Sequence, residues 1–137
     1  MANYLIDTKD FTISAGYGID ARVSLQNAIN SAASAGKGLI LTKLYGASLN
    51  PSQDGVLSLP SNTNLVFAPG AGLRLLPHNA DIYHMLICDG VSNVTIESAW
   101  LDGAKEENSS TTGEYGMGIS LYDSSNITMR RCTIVNT

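Results

Sequence analysis

The side chains that could do chemistry are few, and most fall in the second half of the chain. Asp89, Asp102, Glu106, Glu107, Glu114 and Asp123 are the carboxylates to weigh. Two carboxylates held ~5–9 Å apart, one of them protonated, make a general acid–base pair. None of these six declares itself. Asp102 precedes Gly103, and Asp-Gly favours a tight turn. Glu106 and Glu107 lie in a run without apolar residues, and Asp123 sits between Tyr122 and Ser124 in turn-like company. The two histidines, His78 and His84, have no cysteine or acidic cluster at ligand spacing, so no metal site and no cofactor is expected. Cys88 and Cys132 are too few for a disulfide framework and read as reduced thiols in or beside the core. Trp100, Tyr115 and Tyr122 supply flat, partly apolar surfaces on which a ligand could stack. The candidate binding residues are therefore Trp100, Asp102, Glu114, Tyr115 and Tyr122, and no catalytic residue is assigned.

The elements that must position these residues repeat. Asn64, Asn93 and Asn126 each precede an alternating apolar run, and Ser92-Asn93-Val94-Thr95-Ile96 matches Ser125-Asn126-Ile127-Thr128-Met129 position by position. A repeat of roughly 30 residues is the mark of a solenoid, and period-2 alternation makes its units strands. Short runs from Leu39 onward, each bounded by Gly, Pro, Asn, Asp or Ser, sort into three columns. Leu57, Ile87 and Ile119 mark the first, Leu65, Val94 and Ile127 the second, and Leu73, Leu101 and Ile134 the third. Three strands per turn is a parallel β-helix, and its rungs stack at the ~4.8 Å of a β-sheet.

A rung cannot bury its inner face alone, so the stack needs a lid. Leu25, Ala28, Ile29 and Ala32 form an apolar stripe at helical spacing, with Ser24 as N-cap and Gly36 as terminator. The expectation is an all-β, right-handed parallel β-helix of about three rungs with an N-terminal capping α-helix. One domain covers 1–137: entry segment and helix in 1–38, rungs in 39–137, and a polar loop near 104–116. Residue i should stack on i+33, which puts Glu97 beside Arg130 and Thr95 beside Thr128. In the third column Trp100 points outward, to stack on a sugar ring, anchor a neighbouring subunit, or pack under the loop.

Order and spacing resemble a family. Gly16-Tyr17-Gly18-Ile19-Asp20, Asn27-Ala28-Ile29-Asn30-Ser31-Ala32, Gly36-Lys37-Gly38-Leu39-Ile40-Leu41, and Asn93-Val94-Thr95-Ile96 with Leu101-Asp102-Gly103 are similar to segments of the pectin-lyase-like superfamily. Polygalacturonase-like proteins and bacteriophage tailspikes are the nearest resemblances. The pattern departs from that family at Asp20-Ala21-Arg22, where a second aspartate is usual, and at Thr42–Gly46, where a proline-glycine turn is usual.

The resemblance implies the N-terminal portion of a carbohydrate-active protein, most like a tailspike that binds or cleaves bacterial surface polysaccharide. A non-catalytic structural or glycan-binding segment, or a fragment of a polygalacturonase-like glycosidase, are the alternatives. The resemblance places the catalytic rungs of a polysaccharide depolymerase, hydrolase or lyase, beyond this chain. It also implies a polysaccharide partner and a homo-oligomer, a trimer if tailspike-like. The net charge of −4 argues against nucleic acid and anionic membranes. No apolar run approaches the ~20 residues of a membrane span, and the first residues lack signal-peptide features. The expected location is virion-associated or extracellular if tailspike-like, otherwise cytoplasmic.

Overall fold

The computed structural model describes residues 5–7, 11, 13–110 and 115–137. Its strands are β1 (Leu5–Asp7), β2 (Gly16–Asp20), β3 (Gly38–Leu41), β4 (Leu44–Ala47), β5 (Gly55–Ser58), β6 (Asn64–Phe67), β7 (Gly72–Leu75), β8 (Ile82–Asp89), β9 (Ser92–Glu97), β10 (Trp100–Asp102), β11 (Tyr115–Tyr122), β12 (Ser125–Arg130) and β13 (Thr133–Val135). One helix, α1 (Arg22–Ser34), stands between β2 and β3. The strands form three parallel sheets: β1-β3-β6-β9-β12, which we call sheet A; β2-β4-β7-β10-β13, sheet B; and β5-β8-β11, sheet C. The chain visits C, A and B in turn, which makes a right-handed parallel β-helix.

Stacking in register builds the core from columns of equivalent side chains. Leu39, Leu65, Ile96 and Met129 form one on sheet A. Tyr45, Leu73, Leu101 and Ile134 form another on sheet B. The members from the inner rungs are all buried, whereas Met129 and Ile134 in the last rung are 46% and 43% exposed. Sharp corners between sheets use left-handed residues that stack on one another. Asn93 (φ 60) lies under Asn126 (φ 55), whose Nδ2 donates to Asn93 Oδ1 at 3.3 Å. Asparagine tolerates this conformation better than most residues, which explains its recurrence.

The structure corrects the alignment of the first full rung. Asn64 pairs with Thr95, not Asn93, and the left-handed corner residue there is Asn62 (φ 67), whose N–H donates to Ser92 O. This step spans 31 residues, as between Ser61 and Ser92, whereas the next spans 33. Leu65 accordingly stacks on Ile96 rather than Val94. In sheet C it is Leu86, not Ile87, that lies between Leu57 and Ile119. Arg130 does pair with Glu97 and Thr128 with Thr95 along the backbone. The ion pair, however, goes from Glu97 to Arg131 at 3.5 Å, because Arg131 turns the corner at φ 53.

Residues 14–18 have the composition of a glycine turn, yet a strand begins within them, and another follows β3 where the family's turn is missing. Gly16–Asp20 and Leu44–Ala47 form β2 and β4, and Tyr45 of β4 is 1% exposed. Their pairing jumps from Gly16↔Tyr45 to Asp20↔Gly46, so β2 arches away from its partner over Tyr17–Ile19. Gly46 permits the arch, since a Cβ there would sit 2.7 Å from the Tyr17 carbonyl oxygen and 2.8 Å from that of Ile19.

The helix takes the place of a sheet C strand in the first rung and buries Leu25, Ala28, Ile29 and Ala32. It begins at Arg22, ahead of the expected Ser24 cap, because Asp20 Oδ1 accepts the Arg22 N–H at 3.1 Å. At its other end Lys37 N–H bonds Ala32 O and Gly36 N–H bonds Ala33 O, a Schellman motif with Gly36 at φ +67. Side chains meet the open edge of β5, where Gln53 Nε2 donates to Val56 O at 3.4 Å and Gln26 takes up Ser58. Gln26 Oε1 accepts the Ser58 N–H at 2.9 Å, and its Nε2 donates to Ser58 O at 2.7 Å. The side-chain amide thus replaces a strand's peptide group.

Gln26→Leu keeps helix and bulk but leaves both Ser58 peptide groups unpaired. The expected loss is ~1–3 kcal/mol in urea unfolding; an unchanged midpoint would show that the edge does not need the amide. Burial alone would raise the Asp20 carboxyl, but Ser48 Oγ at 2.6 Å, Ser48 N–H at 3.0 Å, Arg22 N–H and the Arg22 charge hold it below its usual value. A lowered carboxyl contributes stability above its unfolded pKa and loses it as pH falls through the folded one. Ser48→Ala should therefore raise the Asp20 pKa in a carboxyl NMR titration and move this loss to higher pH.

Candidate functional site

Strand alternation gives sheet B an inner row, Leu73, Leu75 and Leu101, and an outer face carrying Gly72, Arg74, Trp100 and Asp102. Along that outer face Leu44 pairs with Gly72, and Trp100 pairs with Thr133. The arch in β2 swings Tyr17 over this row, which is how a bulge re-aims a side chain. Tyr17 and Trp100 lie with ring centroids 6.4 Å apart and planes 16° from parallel.

Both rings fill space that Gly72 leaves open. A Cβ at Gly72 would lie 2.9 Å from Trp100 Cε3, 2.9 Å from the Tyr17 hydroxyl and 3.3 Å from Leu44 Cδ2. Beside the pair opens a pocket of about 500 Å³ whose walls include Tyr17, Leu44, Phe67, Pro69, Trp100 and Thr133. Its size falls within the range of small-ligand sites, and its surface is mainly apolar.

A charged cluster borders the platform. The Arg74 guanidinium carbon lies 5.8 Å from the centre of the Tyr17 ring. Arg74 Nη2 reaches Glu107 at 2.7 Å and Glu106 at 3.3 Å, and Nε lies 3.7 Å from Asp102. Glu106 and Glu107 belong to a short 3-10 helix, Lys105–Glu107, at the start of the polar loop. Asp102 is buried, and its Oδ1 accepts Ala104 N–H at 2.9 Å and Asn136 Nδ2 at 3.0 Å. These carboxylates hold the loop and Arg74 in place. Burial chiefly, then the charge of Asp102, raises the Tyr17 hydroxyl pKa against the opposing pull of Arg74, so Tyr17 stays a neutral ring and donor.

Of the five residues singled out from sequence, the three whose side chains are described stand on two sheets. Trp100 and Asp102 stand on sheet B, whereas Tyr122 ends β11 on sheet C, 47% exposed, with its ring edge-on to His84 at 6.1 Å. Tyr115 pairs with Ile82 in sheet C, its side chain outside the described residues, and Glu114 lies wholly outside them. Tyr17, Arg74 and Gly72 complete the sheet B site and were missed. Tyr17 sits in a segment that reads as a glycine turn; Arg74, polar between Leu73 and Leu75, carries the alternation that would have placed it outward.

A second cluster has reactive groups without access. His84 Nδ1 and Ser120 Oγ lie 2.6 Å apart, but the residues are 7% and 5% exposed between stacked rungs. Among the described residues no three His, Cys, Asp or Glu side chains converge as a metal ion requires.

No family model matches the chain, and no curated protein does. Among solved structures it is similar to the A-module of mannuronan C-5 epimerase AlgE4 of Azotobacter vinelandii, with TM-score 0.81 and 22% identity over 96% of this chain and 38% of that one. It is also similar to the AlgE6 A-module of the same organism, with TM-score 0.78 and 25% identity over 96% and 37%. The chain thus spans under two fifths of the length of these neighbours. They share the right-handed parallel β-helix and overturn the resemblance to polygalacturonases, tailspikes and the pectin-lyase-like superfamily. The misleading motifs are those that stacking asks of any such coil: a corner asparagine, an alternating strand and a small-residue helix.

Gly72→Ala should push Tyr17 and Trp100 apart. The expected result is a changed tryptophan emission with folding retained; an unchanged spectrum would mean the rings do not depend on that gap.

Proposed function

We propose that this chain is a glycan-binding portion of a carbohydrate-active β-helical protein, and that the Tyr17–Trp100 pocket on sheet B holds a pyranose ring of an acidic polysaccharide. The observation that carries this is the paired aromatic platform over Gly72, fixed on a rigid sheet and bordered by Arg74. Axial C–H groups of a pyranose make an apolar face that stacks on aromatic rings, while its hydroxyls reach polar groups at the edge. The likeness to mannuronan C-5 epimerase modules supports a uronic-acid polymer as the class to try first.

A second reading is favoured by the share of the neighbours that is covered. In it the chain is one end of a catalytic module, and the acid–base groups stand on further rungs. Among the described residues the carboxylates around Arg74 are engaged with it, so binding is the role we assign to this site.

Trp100 is the only tryptophan, so its emission reports on this pocket. Mannuronate oligomers should change that emission saturably. By calorimetry, Trp100→Ala and Tyr17→Ala should each weaken binding at least ~10-fold, about 1.4 kcal/mol. A flat titration, or wild-type affinity in both variants, would sink the assignment. Turnover by the chain alone, followed by proton NMR of the oligomers, would move catalysis onto it.

A further inference from the structure

A second cavity, of about 340 Å³, opens at the corner between α1 and the turns that lead from sheet C to sheet A. One wall is a single helix face, Arg22, Gln26 and Asn30; the opposite wall carries Asn50, Gln53 and Ser58. Leu59, Pro60 and Val91 add an apolar strip, and Asp89 contributes a carboxylate.

Most oxygens of this cavity are already engaged as acceptors. Gln26 Oε1 takes the Ser58 N–H, and Gln53 Oε1 takes the Ser58 hydroxyl at 3.0 Å. Asn30 Oδ1 takes Gln26 Nε2 at 3.1 Å, and Asn50 Oδ1 takes the Ser52 N–H and hydroxyl. Of the nitrogens, Gln26 Nε2 is spent on Ser58 O and Asn30 Oδ1, and Gln53 Nε2 on Val56 O at 3.4 Å, but three other residues keep donors to offer. Arg22 is anchored through Nε to Ser48 Oγ at 3.2 Å, which fixes the guanidinium while its two terminal amino groups stay unpaired among the described residues. Asn30 Nδ2 and Asn50 Nδ2 are likewise unpaired there. The nearby Asp20 carboxylate does not satisfy Arg22 through its guanidinium, being occupied by Ser48 and the Arg22 backbone.

A cavity rich in donors, with one pinned guanidinium and one carboxylate, calls for a ligand that brings an anion and hydroxyls together. We propose that it is a second saccharide site, in which Arg22 forks a uronate carboxylate, Asn30 and Asn50 donate to ring or hydroxyl oxygens, and Asp89 accepts from a hydroxyl. A planar guanidinium matches a carboxylate in two parallel bonds, which a lysine cannot reproduce. The carboxylate assignment rests on Arg22 and stands apart from the aromatic pocket; only its sugar component draws on the polysaccharide reading.

The test uses the full chain and the side-chain ¹⁵N signals of Arg22, which Trp100 emission does not report. A mannuronate tetrasaccharide should shift those signals, while a neutral mannose tetrasaccharide and acetate at equal concentration leave them unmoved. Arg22→Lys, which keeps the charge and loses the fork, should weaken tetrasaccharide binding at this site at least ~10-fold, with the Trp100 response retained. Unmoved Arg22 signals, an equal response to acetate or to the neutral sugar, or full affinity in Arg22→Lys would overturn the proposal, whatever the fate of the sheet B pocket.

Discussion

Every feature of this protein depends on stacking in register. A single turn of the coil has an inside too thin to exclude water, so its leucines become core only when the next turn lies directly over them. Columns such as Leu39–Leu65–Ile96 and Tyr45–Leu73–Leu101 show the result, with every member buried. A slip of one residue would turn those side chains outward, so the inner columns fix the outer ones as well. The place of Trp100 beside Gly72 is therefore a consequence of Leu101 lying on Leu73.

The first rung needs another solution. At the first rung a helix replaces a sheet C strand, and Gln26 offers its side-chain amide to Ser58 as a peptide would. In the rung of β11, β12 and β13, Leu121, Met129 and Ile134 are partly exposed. The cavity at the helix corner arises from the same substitution: a helix face cannot lie as close to the turns as a strand would, and polar side chains line what is left.

The aromatic pocket shows how a regular scaffold makes an irregular site. Sheet B presents a flat outer row, and a departure from its pairing lifts Tyr17 above it. Glycines at 46 and 72 make this arrangement sterically allowed, one under the arch and one under the rings. Arg74 then joins three carboxylates across the rungs and ties the Lys105–Glu107 turn to sheet B. Asp102, Glu106 and Glu107, weighed in isolation as acids, are all engaged with one guanidinium.

The sequence by itself determined the coil, its capping helix and the register between the last two rungs, because period, alternation and corner residues are local signals written in each repeat. Ser92–Ile96 and Ser125–Met129 announce their own equivalence. It misaligned the preceding rung because Asn64 mimics the corner residue that Asn62 is, and only backbone angles and pairing tell them apart. It gave no sign that Trp100 meets Tyr17 over Gly72, since those residues lie far apart along the chain and share no motif. Which residues meet on an outer face is set by rung length and by a bulge in β2. Those are properties of the assembled stack, and the tertiary structure alone decides them.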